Sequence, residues 1–445
     1  MRQFVPLSAL LVAAMVLVLG NGLGGLLIPT RAESLGWSTD TIALIGASYA
    51  LFFTLGCIVI PRIVARVGHI RTFSALGTLA AIAMLLHAME PVAWFWIAVR
   101  GITGFAVAGS YMVLESWLNE EATNDNRGLV FSIYMVISLA GQAIGPFLVT
   151  LGNPDRFELF AWAAIVYASA TLPIALTDKM SPAPLTRVSL DLKNLYRNSP
   201  AAAVGSFVTG AVAGAWLSLF PVYGSQVGLT TAAIATMLAV ANLGSMVAQV
   251  PIGRLSDRID RRIVMVGVGA VGVVAGILVI MVPDPVLATV PLQRMSVEAG
   301  DSLVLVALMF LFGTALYTTY SLNVAHANDW ARNVSFVTVA SGLLILYGIG
   351  STIGPLVAGR VMAVIGPNGL FAFTAAAQAL YAGFALWRIT QRGNIAMDDQ
   401  TDFGALPVTG TSTPQVFELD VRADADDQHG WDAVPDDYEE VTGEA

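Results

Sequence analysis

The sequence predicts an all-α membrane protein whose twelve transmembrane helices form two pseudo-symmetric bundles of six. Three observations predict this fold class. First, the 445 residues are 56% hydrophobic and only 12% charged, with a mean hydropathy of +0.72, which a soluble domain could not shield from water. Second, the apolar runs are long enough to span a bilayer. Third, a basic loop and a glycine motif each occur twice, once in each half of the chain.

Twelve apolar runs approach the roughly 20 residues that a helix needs to cross a bilayer. The first run follows Arg2, but it is longer than the roughly 7–15 apolar residues of a signal sequence and shows no clear cleavage site, so we interpret it as a span. The predicted spans, numbered in chain order, cover residues 5–30, 41–61, 72–89, 92–118, 129–151, 158–177, 201–223, 230–252, 263–282, 302–325, 334–358 and 369–388.

Basic residues are concentrated on one side of these spans. If both termini are cytoplasmic, the outer loops contain only Arg31, Arg156, Arg294 and Arg360. Because lysine and arginine are retained on the inner side of a membrane, this asymmetry predicts a multi-pass protein of the cytoplasmic (inner) membrane with both termini in the cytoplasm. The 16 predicted cytoplasmic basic residues, apart from the tail, are Arg2, Arg62, Arg66, Arg71, Arg127, Lys179, Arg187, Lys193, Arg197, Arg254, Arg258, Arg261, Arg262, Arg332, Arg388 and Arg392.

The spans divide the chain into four parts. Residues 1–177 form a first six-helix bundle, 178–200 a cytoplasmic linker, 201–392 a second six-helix bundle, and 393–445 an acidic tail. The tail holds 14 of the 31 acidic residues and one basic residue, and it has few apolar residues to bury. We therefore expect a disordered tail, which serves either as a solvated end or as a docking segment for a protein partner.

Two pairs of motifs indicate that the halves are copies. The basic stretch from Pro61 to Arg71 corresponds to the stretch from Gly253 to Arg262, about 190 residues later. Gly141-Gln142-Ala143-Ile144-Gly145-Pro146 in span five recurs 209 residues later as Gly350-Ser351-Thr352-Ile353-Gly354-Pro355 in span eleven. The two glycines and the proline of this second motif fit close helix contact with a bend at the proline.

These motifs resemble those of the major facilitator superfamily of secondary transporters. The second basic loop matches the family's Gly-x-Leu-Ala-Asp-Arg-x-Gly-Arg-Arg at its conserved glycine, leucine, aspartate and arginines, with Asp260 where a glycine is usual. The first copy is degenerate and retains Arg66, Gly68 and Arg71. In span four, the segment from Arg100 to Ala108 is similar to the family's Arg-x-x-x-Gly-x-x-x-Ala element. The resemblance implies twelve helices around a central cavity and links the arginine of span four to coupling. The glycine motif of span five also resembles the family's antiporter signature, which favours export slightly, although Phe147-Leu148-Val149-Thr150 lack the paired glycines usual after the proline.

Charged residues at the cytoplasmic ends of the spans are candidates for a gate. Asp257 can pair with Arg258 or Arg261, Glu120 with Arg127, and Asp329 with Arg332. Exposed ion pairs are individually weak, at about 0–1 kcal/mol, but a network can bias two conformations. The alternative is that these residues only anchor the protein at the inner leaflet. The predicted gate consists of Arg62, Arg66, Gly68, Arg71, Glu120, Arg127, Gly253, Asp257, Arg258, Arg261, Arg262, Asp329 and Arg332.

Span four contains the two ionisable residues predicted to lie well inside the bilayer, Arg100 and Glu115. Gly104, Ala108 and Tyr111 lie between them, and the successive spacings from Arg100 to Glu115 are four, four, three and four residues. These spacings place all five residues on one helix face. Charges at that depth normally face a water-filled cavity or a partner. We expect Arg100 to bind an anionic group or to tune proton coupling, and Glu115 to be a possible proton carrier.

Further polar and aromatic residues within the spans are candidates to line a cavity for a small organic molecule. Each of them could equally form hydrogen bonds between helices, because buried polar groups need partners with or without a ligand. These residues are Asn21, Tyr111, Tyr134, Gln142, Trp216, Asn242, Gln249, Tyr317, Tyr320 and Asn323.

The sequence therefore predicts a proton-coupled secondary transporter of a small organic solute, with the lipid bilayer as its surroundings and no nucleic-acid partner. It contains no Gly-x-x-x-x-Gly-Lys-Ser/Thr motif, so we expect a gradient rather than ATP to supply the energy. One cysteine and four scattered histidines predict no metal site, and we expect no cofactor. The first alternative is a membrane scaffold or assembly factor that acts through its acidic tail or lipid-facing surface. An intramembrane enzyme built on His326 and Asp329 is the weaker alternative, because no nucleophile accompanies them.

Overall fold

The computed structural model describes residues 4–123, 126–176, 192–282, 299–331 and 334–391, and in the tail residues 393, 400–401, 403–404, 406, 413–420 and 422–423. These residues form helices and their connections, and no β-strand occurs among them. Twelve helices are long and apolar enough to cross a bilayer, which confirms the predicted fold class.

The helices α1 to α12 follow the predicted spans in order. α5 continues as a 3₁₀ helix, Gly145–Leu151, where Pro146 removes a backbone donor. α6 is followed by a short turn, Leu172–Ala175, and a linker helix, Leu192–Asn198, precedes α7. The bounds are Phe4–Ser34 (α1), Thr39–Val67 (α2), His69–Met89 (α3), Ala93–Glu121 (α4), Arg127–Ile144 (α5), Phe157–Ser169 (α6), Pro200–Gln226 (α7), Thr231–Ser256 (α8), Arg261–Ile280 (α9), Ala299–Leu316 (α10a), Thr318–Asp329 (α10b), Phe336–Ile365 (α11) and Gly369–Gln391 (α12).

The first basic loop is shorter than the sequence suggests. α2 continues through Pro61 to Val67, so Arg62 and Arg66 lie on its last turns rather than in a loop. A proline inside a membrane helix is tolerated because neighbouring groups satisfy the freed carbonyl. The helix ends at Gly68, whose φ of 90° is accessible to glycine and strained for other residues, and α3 starts at the next residue. We call the end of the bundle with the two basic loops the basic end, and the opposite end the far end.

At the far end, small residues bring the two halves of the bundle into close contact. α2 of the first half lies against α7 and α11 of the second. A methyl group added at Gly46 would lie 2.5 Å from Ser218 Cβ, and one added at Gly359 would lie 2.6 Å from Ala43 Cβ. Such close approach is possible only for small side chains. In this conformation the far end is therefore closed.

The described part of the tail does not follow the expectation of disorder. Residues Pro414–Leu419 form a 3₁₀ helix that lies at the basic end between α4 and α5 of the first half and α11 of the second. Val416, Phe417 and Leu419 are at most 1% exposed. For this segment the expectation of disorder is wrong, because it relied on the average composition of residues 393–445, whereas these apolar residues pack against a surface of the same chain about 300 residues earlier.

Candidate functional site

A cavity lies between the two halves of the bundle. Its volume is about 150 Å³, which is on the order of ten times the space that a single water molecule needs. Helices of both halves contribute to its wall, so a solute bound there would touch both. Its polar and aromatic lining residues include Asn21, Tyr49, Thr54, Cys57, Arg100, Gln142, Trp216, Ser218, Asn242, Tyr317, Tyr347 and Ser351.

Arg100 supplies a buried positive charge to this cavity. Its guanidinium carbon lies 4.3 Å from the centre of the Tyr49 ring, and the Tyr49 hydroxyl in turn donates a hydrogen bond of 2.8 Å to Asn21 Oδ1. The Nη1 group is buried and has no hydrogen-bond partner among the described residues, and no carboxylate of those residues forms an ion pair with Arg100. The face of an aromatic ring compensates only part of the cost of burying a cation, so an anionic ligand would supply the missing counter-charge for Arg100.

The second half contributes an aromatic wall to the cavity. Trp216 stacks on Phe220 at 4.1 Å and packs against Phe312 at 4.8 Å, measured between ring centres. The hydroxyl groups of Tyr317 and Tyr347 are buried without a hydrogen-bond partner among the described residues. The lining can thus hold an apolar or aromatic body through ring contacts and can donate hydrogen bonds to polar groups on it.

Half of the predicted cavity residues line the cavity. Asn21, Arg100, Gln142, Trp216, Asn242 and Tyr317 do so, whereas Tyr111, Glu115, Tyr134, Gln249, Tyr320 and Asn323 are buried elsewhere.

Two of these other residues form hydrogen bonds between or along helices of the second half. Asn323 on α10b accepts a hydrogen bond of 3.2 Å from the Tyr381 hydroxyl and donates one of 3.4 Å to Thr209. The Tyr320 hydroxyl donates to the Ala340 carbonyl at 3.1 Å. These side chains therefore connect helices of the second half and lie outside the cavity lining.

Glu115 lies towards the basic end, outside the cavity lining. It is fully buried, and its carboxylate accepts hydrogen bonds from the Tyr134 hydroxyl at 2.8 Å and from the Thr413 hydroxyl of the tail. Tyr111, one turn earlier on α4, is also fully buried, with no hydrogen-bond partner for its hydroxyl among the described residues. Gln249 is buried on α8.

Sequence reasoning missed several lining residues, chiefly Tyr49, Thr54, Tyr347 and Ser351. A signal for them exists. Tyr347 and Ser351 are four residues apart on α11; Tyr347 precedes the repeated glycine motif and Ser351 lies within it. Tyr49 interrupts an apolar span just as Asn21 does. The predicted set contained other tyrosines but no serine or threonine.

The basic loop of the second half forms an ion-pair network. Arg261, only 1% exposed, lies 3.3 Å from Asp257 and 2.7 Å from Asp329. The predicted partner of Asp329, Arg332, lies outside the described residues, and Arg261 reaches Asp329 from the neighbouring helix instead. Arg258 is exposed, and Gly253 is buried against the tail residue Phe403.

Within the described part of the chain, the basic loop of the first half has no corresponding network. Arg62, Arg66 and Arg71 are exposed and form no ion pair with the described residues. Glu120 is exposed at the end of α4, and Arg127 begins α5 after a connection of which residues 124–125 lie outside the described residues, so the Glu120–Arg127 pair stays a prediction. The two copies of the loop therefore differ in their contacts as they differ in sequence.

Asp260, which departs from the usual motif, caps α9. Its carboxylate accepts hydrogen bonds from the Arg262 backbone at 2.9 Å and from the Arg262 guanidinium at 3.0 and 2.7 Å. Burial would raise the pKa of Asp260, but these hydrogen bonds and the charge of Arg262 outweigh that effect and lower it below its usual value.

This arrangement predicts a pH-dependent effect of Asp260→Ala. At pH 7 the substitution should lower the free energy of unfolding by about 1–2 kcal/mol, because it removes a helix cap and a paired charge. A lowered pKa in the folded state means that the stabilisation is complete above the unfolded value of about 3.9 and is lost as the pH falls through the folded value. Thermal unfolding of both proteins between pH 7 and pH 3 measures this difference.

Glu158→Ala, which removes an exposed 3.9 Å pair with Arg156, is the control and should change little at any pH. A pH-independent difference for Asp260→Ala would contradict the assignment.

The repeated glycine motif makes close helix contacts in both halves. A methyl group at Gly145 would lie 2.8 Å from Gly22 Cα on α1. A methyl group at Gly354 would lie 2.6 Å from the Ala211 carbonyl carbon on α7, and Gly350 meets α7 one turn earlier. The geometry favours the helix-contact interpretation of this motif.

Known proteins resemble this chain over most of its length. A family model described as Major Facilitator Superfamily matches residues 10–293 and 202–410. A protein named "Uncharacterized MFS-type transporter YcaD" from Salmonella heidelberg (strain SL476) is 24% identical over 378 residues, which are 84% of this chain and 94% of that protein. The protein of the same name from Escherichia coli (strain UTI89 / UPEC) is 23% identical over a stretch of the same length.

Solved structures with the same architecture include two transporters. The nucleoside transporter NupG superposes with a TM-score of 0.65 at 15% identity and covers 87% of this chain and 98% of its own. A bacterial homologue of the human lysosomal transporter Spinster, in an inward-facing and occupied conformation, gives a TM-score of 0.66 at 14% identity over 89% of this chain and 97% of its own. At these identities the similarity supports the fold alone.

Proposed function

Because this chain belongs to the major facilitator superfamily, we propose that it is a secondary transporter that carries a small organic anion across the membrane by alternating access. The substrate class is inferred from Arg100. Its guanidinium is buried in the cavity wall, and within the described residues its Nη1 has no hydrogen-bond partner and it forms no ion pair. An uncompensated charge buried at the depth of the bilayer attracts a ligand of opposite charge. The aromatic wall around Trp216 favours an anion with an apolar or aromatic body.

The proposal places the basic end in the cytoplasm, because the excess of lysine and arginine at that end follows the positive-inside rule. The protein would then be a permease of the inner membrane with both termini in the cytoplasm. The helices of the two halves meet at the far end in this conformation, so the helical bundles have the arrangement of an inward-facing state.

Proton coupling is part of the proposal and rests on Glu115. This is the one carboxylic acid buried in α4, and it lies between the cavity and the basic end. Its hydrogen bonds to Tyr134 and Thr413 come from donors, so protonation would change both contacts. Export as the direction rests only on the resemblance of the segment from Gly141 to Pro146 to an antiporter element.

The alternative is a membrane scaffold or assembly factor that acts through its acidic tail or its lipid-facing surface. The route through the tail has less support, because tail residues Pro414–Leu419 lie against helices of their own chain.

Reconstituted vesicles test the transport proposal. Purified protein in proteoliposomes should carry at least one member of a panel of small aromatic and aliphatic carboxylates, and a pH gradient imposed in either direction should drive accumulation or release. Protein-free vesicles are the control for leakage, and uncharged analogues of the same size are the control for substrate class. Transport of the uncharged analogues at the same rate as the acids would refute the anion assignment, and no flux of any compound that binds would refute transport.

A further inference from the structure

The tail occupies the space between the two halves at the basic end. We propose that residues 413–420, which we call the tail plug, close this end of the cavity and hold the transporter in the conformation that is closed at the far end. This inference rests on the proposed transport function, since a plug regulates only a protein whose cavity opens.

The apolar side of the tail plug is buried in a cleft that both halves form. The Phe417 ring lies 6.3 Å from the Phe336 ring on α11, in an edge-to-face arrangement. Val416 and Leu419 are fully buried, and the plug also contacts α4 and α5. A 3₁₀ helix of six residues cannot bury these side chains against itself, so the cleft supplies the burial that keeps it in place.

Polar contacts fix the plug to each half. On the first half, the Thr413 hydroxyl donates to Glu115, and Asn119 donates a hydrogen bond of 3.3 Å to Glu418. On the second half, the guanidinium of Arg422, just after the plug, lies 4.4 Å from the centre of the Phe336 ring. The tail therefore bridges two bundles that must move relative to each other during transport.

The residues that precede the plug are attached to the basic loop network of the second half. The backbone and the hydroxyl of Thr401 each donate a hydrogen bond of 2.9 Å to Asp329, and the Phe403 backbone donates one of 3.1 Å to Asp257. These are the two carboxylates that pair with Arg261. A methyl group at Gly253 would meet the Phe403 ring, so the small residue at this position of the basic loop makes room for the tail.

This placement has two consequences for transport. A solute in the cavity cannot leave through the basic end until the plug moves aside. In addition, the halves cannot close on each other at the basic end while the plug fills the cleft, so the far end cannot open by a rocking motion. The tail thus inhibits both half-steps of the cycle until it is displaced.

Cys57 provides a direct test, because it is the only cysteine of the chain and it lines the cavity. In vesicles of known orientation, an impermeant maleimide added on the basic side should label Cys57 slowly in the full chain. Removal of residues 394–445 should increase the rate by about tenfold or more, since access then no longer requires prior opening of the tail.

Removal of residues 424–445 alone is the matched control. It deletes most of the tail's acidic residues but leaves the plug, and it should not change the rate. Equal rates in all three proteins would overturn the proposal.

A point substitution separates the plug from a general effect of truncation. Phe417→Ala in the full chain should increase labelling from the basic side by about tenfold, because it removes the largest side chain that holds the plug in its cleft. Labelling from the far side should increase less, because access from that side also requires the helix contacts at Gly46 and Gly359 to separate. If the rate increases equally from both sides in Phe417→Ala and in the truncated chain, the tail stabilises the whole fold instead, and the proposal is wrong. Because the readout is access and not flux, its outcome is independent of whether a transported solute has been found.

Discussion

Replacing Arg100 with glutamine should lower the affinity for the transported anion by about 10- to 100-fold and reduce flux accordingly, because a charge-assisted hydrogen bond to the ligand is lost. The folded protein should lose little stability and could gain some, since a buried cation without a counter-charge is removed. Arg100→Lys should restore binding only partly, because an ammonium group cannot reproduce the planar contact of the guanidinium with Tyr49. Anion-dependent thermal stabilisation and proteoliposome flux measure the two effects.

Arg261→Gln is the matched control for this prediction. Arg261 is also a buried arginine, but it is paired with Asp257 and Asp329. Its loss leaves the carboxylate of Asp329, whose side chain is 3% exposed, without its charge partner, and should cost about 3–5 kcal/mol of stability. If instead Arg100→Gln unfolds the protein as readily as Arg261→Gln, then Arg100 is a structural residue, and the substrate assignment fails.

Replacing Gly354 with alanine should destabilise the fold by about 3 kcal/mol. The added methyl group would lie 2.6 Å from the Ala211 carbonyl carbon, and a backbone atom cannot turn aside as a side chain can. α7 and α11 would have to separate along a contact that Gly350 also shares. Thermal unfolding of the purified protein measures the loss.

Gly267→Ala is the control for this prediction, because no atom lies within 4 Å of the added methyl group. It should be neutral or slightly stabilising, as expected for glycine to alanine in an exposed helix position. Equal behaviour of the two substitutions would show that the repeated motif does not act through close helix contact.

The sequence was sufficient for the architecture but only partly for the site. The length of an apolar run must match the thickness of the lipid layer, and the charge of a loop decides on which side of the membrane it lies. Both properties belong to consecutive residues, so the sequence shows them directly. Whether an asparagine faces the cavity cannot be read in this way. Asn242 lines the cavity and Asn323 bonds to Thr209 and Tyr381, yet both lie in similar apolar spans. In a membrane the lipid-facing and protein-facing sides of a helix are both apolar, so periodicity does not reveal the rotation of the helix.

The remaining differences are long-range pairings. Glu115 and Thr413 are 298 positions apart, and Asp329 is paired with Arg261 from another helix. Nothing in the local sequence of Glu115 predicts a tail residue as its partner. Glu115 and Asp329 therefore have hydrogen-bond partners in the tail, although the composition of the tail had predicted an unstructured segment.

The central claim is that one cavity, shared by the two halves, opens alternately at the far end and at the basic end. Asp40 and Arg360 form an ion pair of 3.5 Å between the halves at the far end, and both side chains are exposed enough to carry spin labels. The most direct measurement is the distance between labels at these two positions, introduced as cysteines in a Cys57→Ser background, by double electron–electron resonance. The account predicts a dominant short distance and a second, longer distance whose population changes when a transported anion is added or residues 394–445 are removed. A single short distance that stays unchanged under all of these conditions would contradict it.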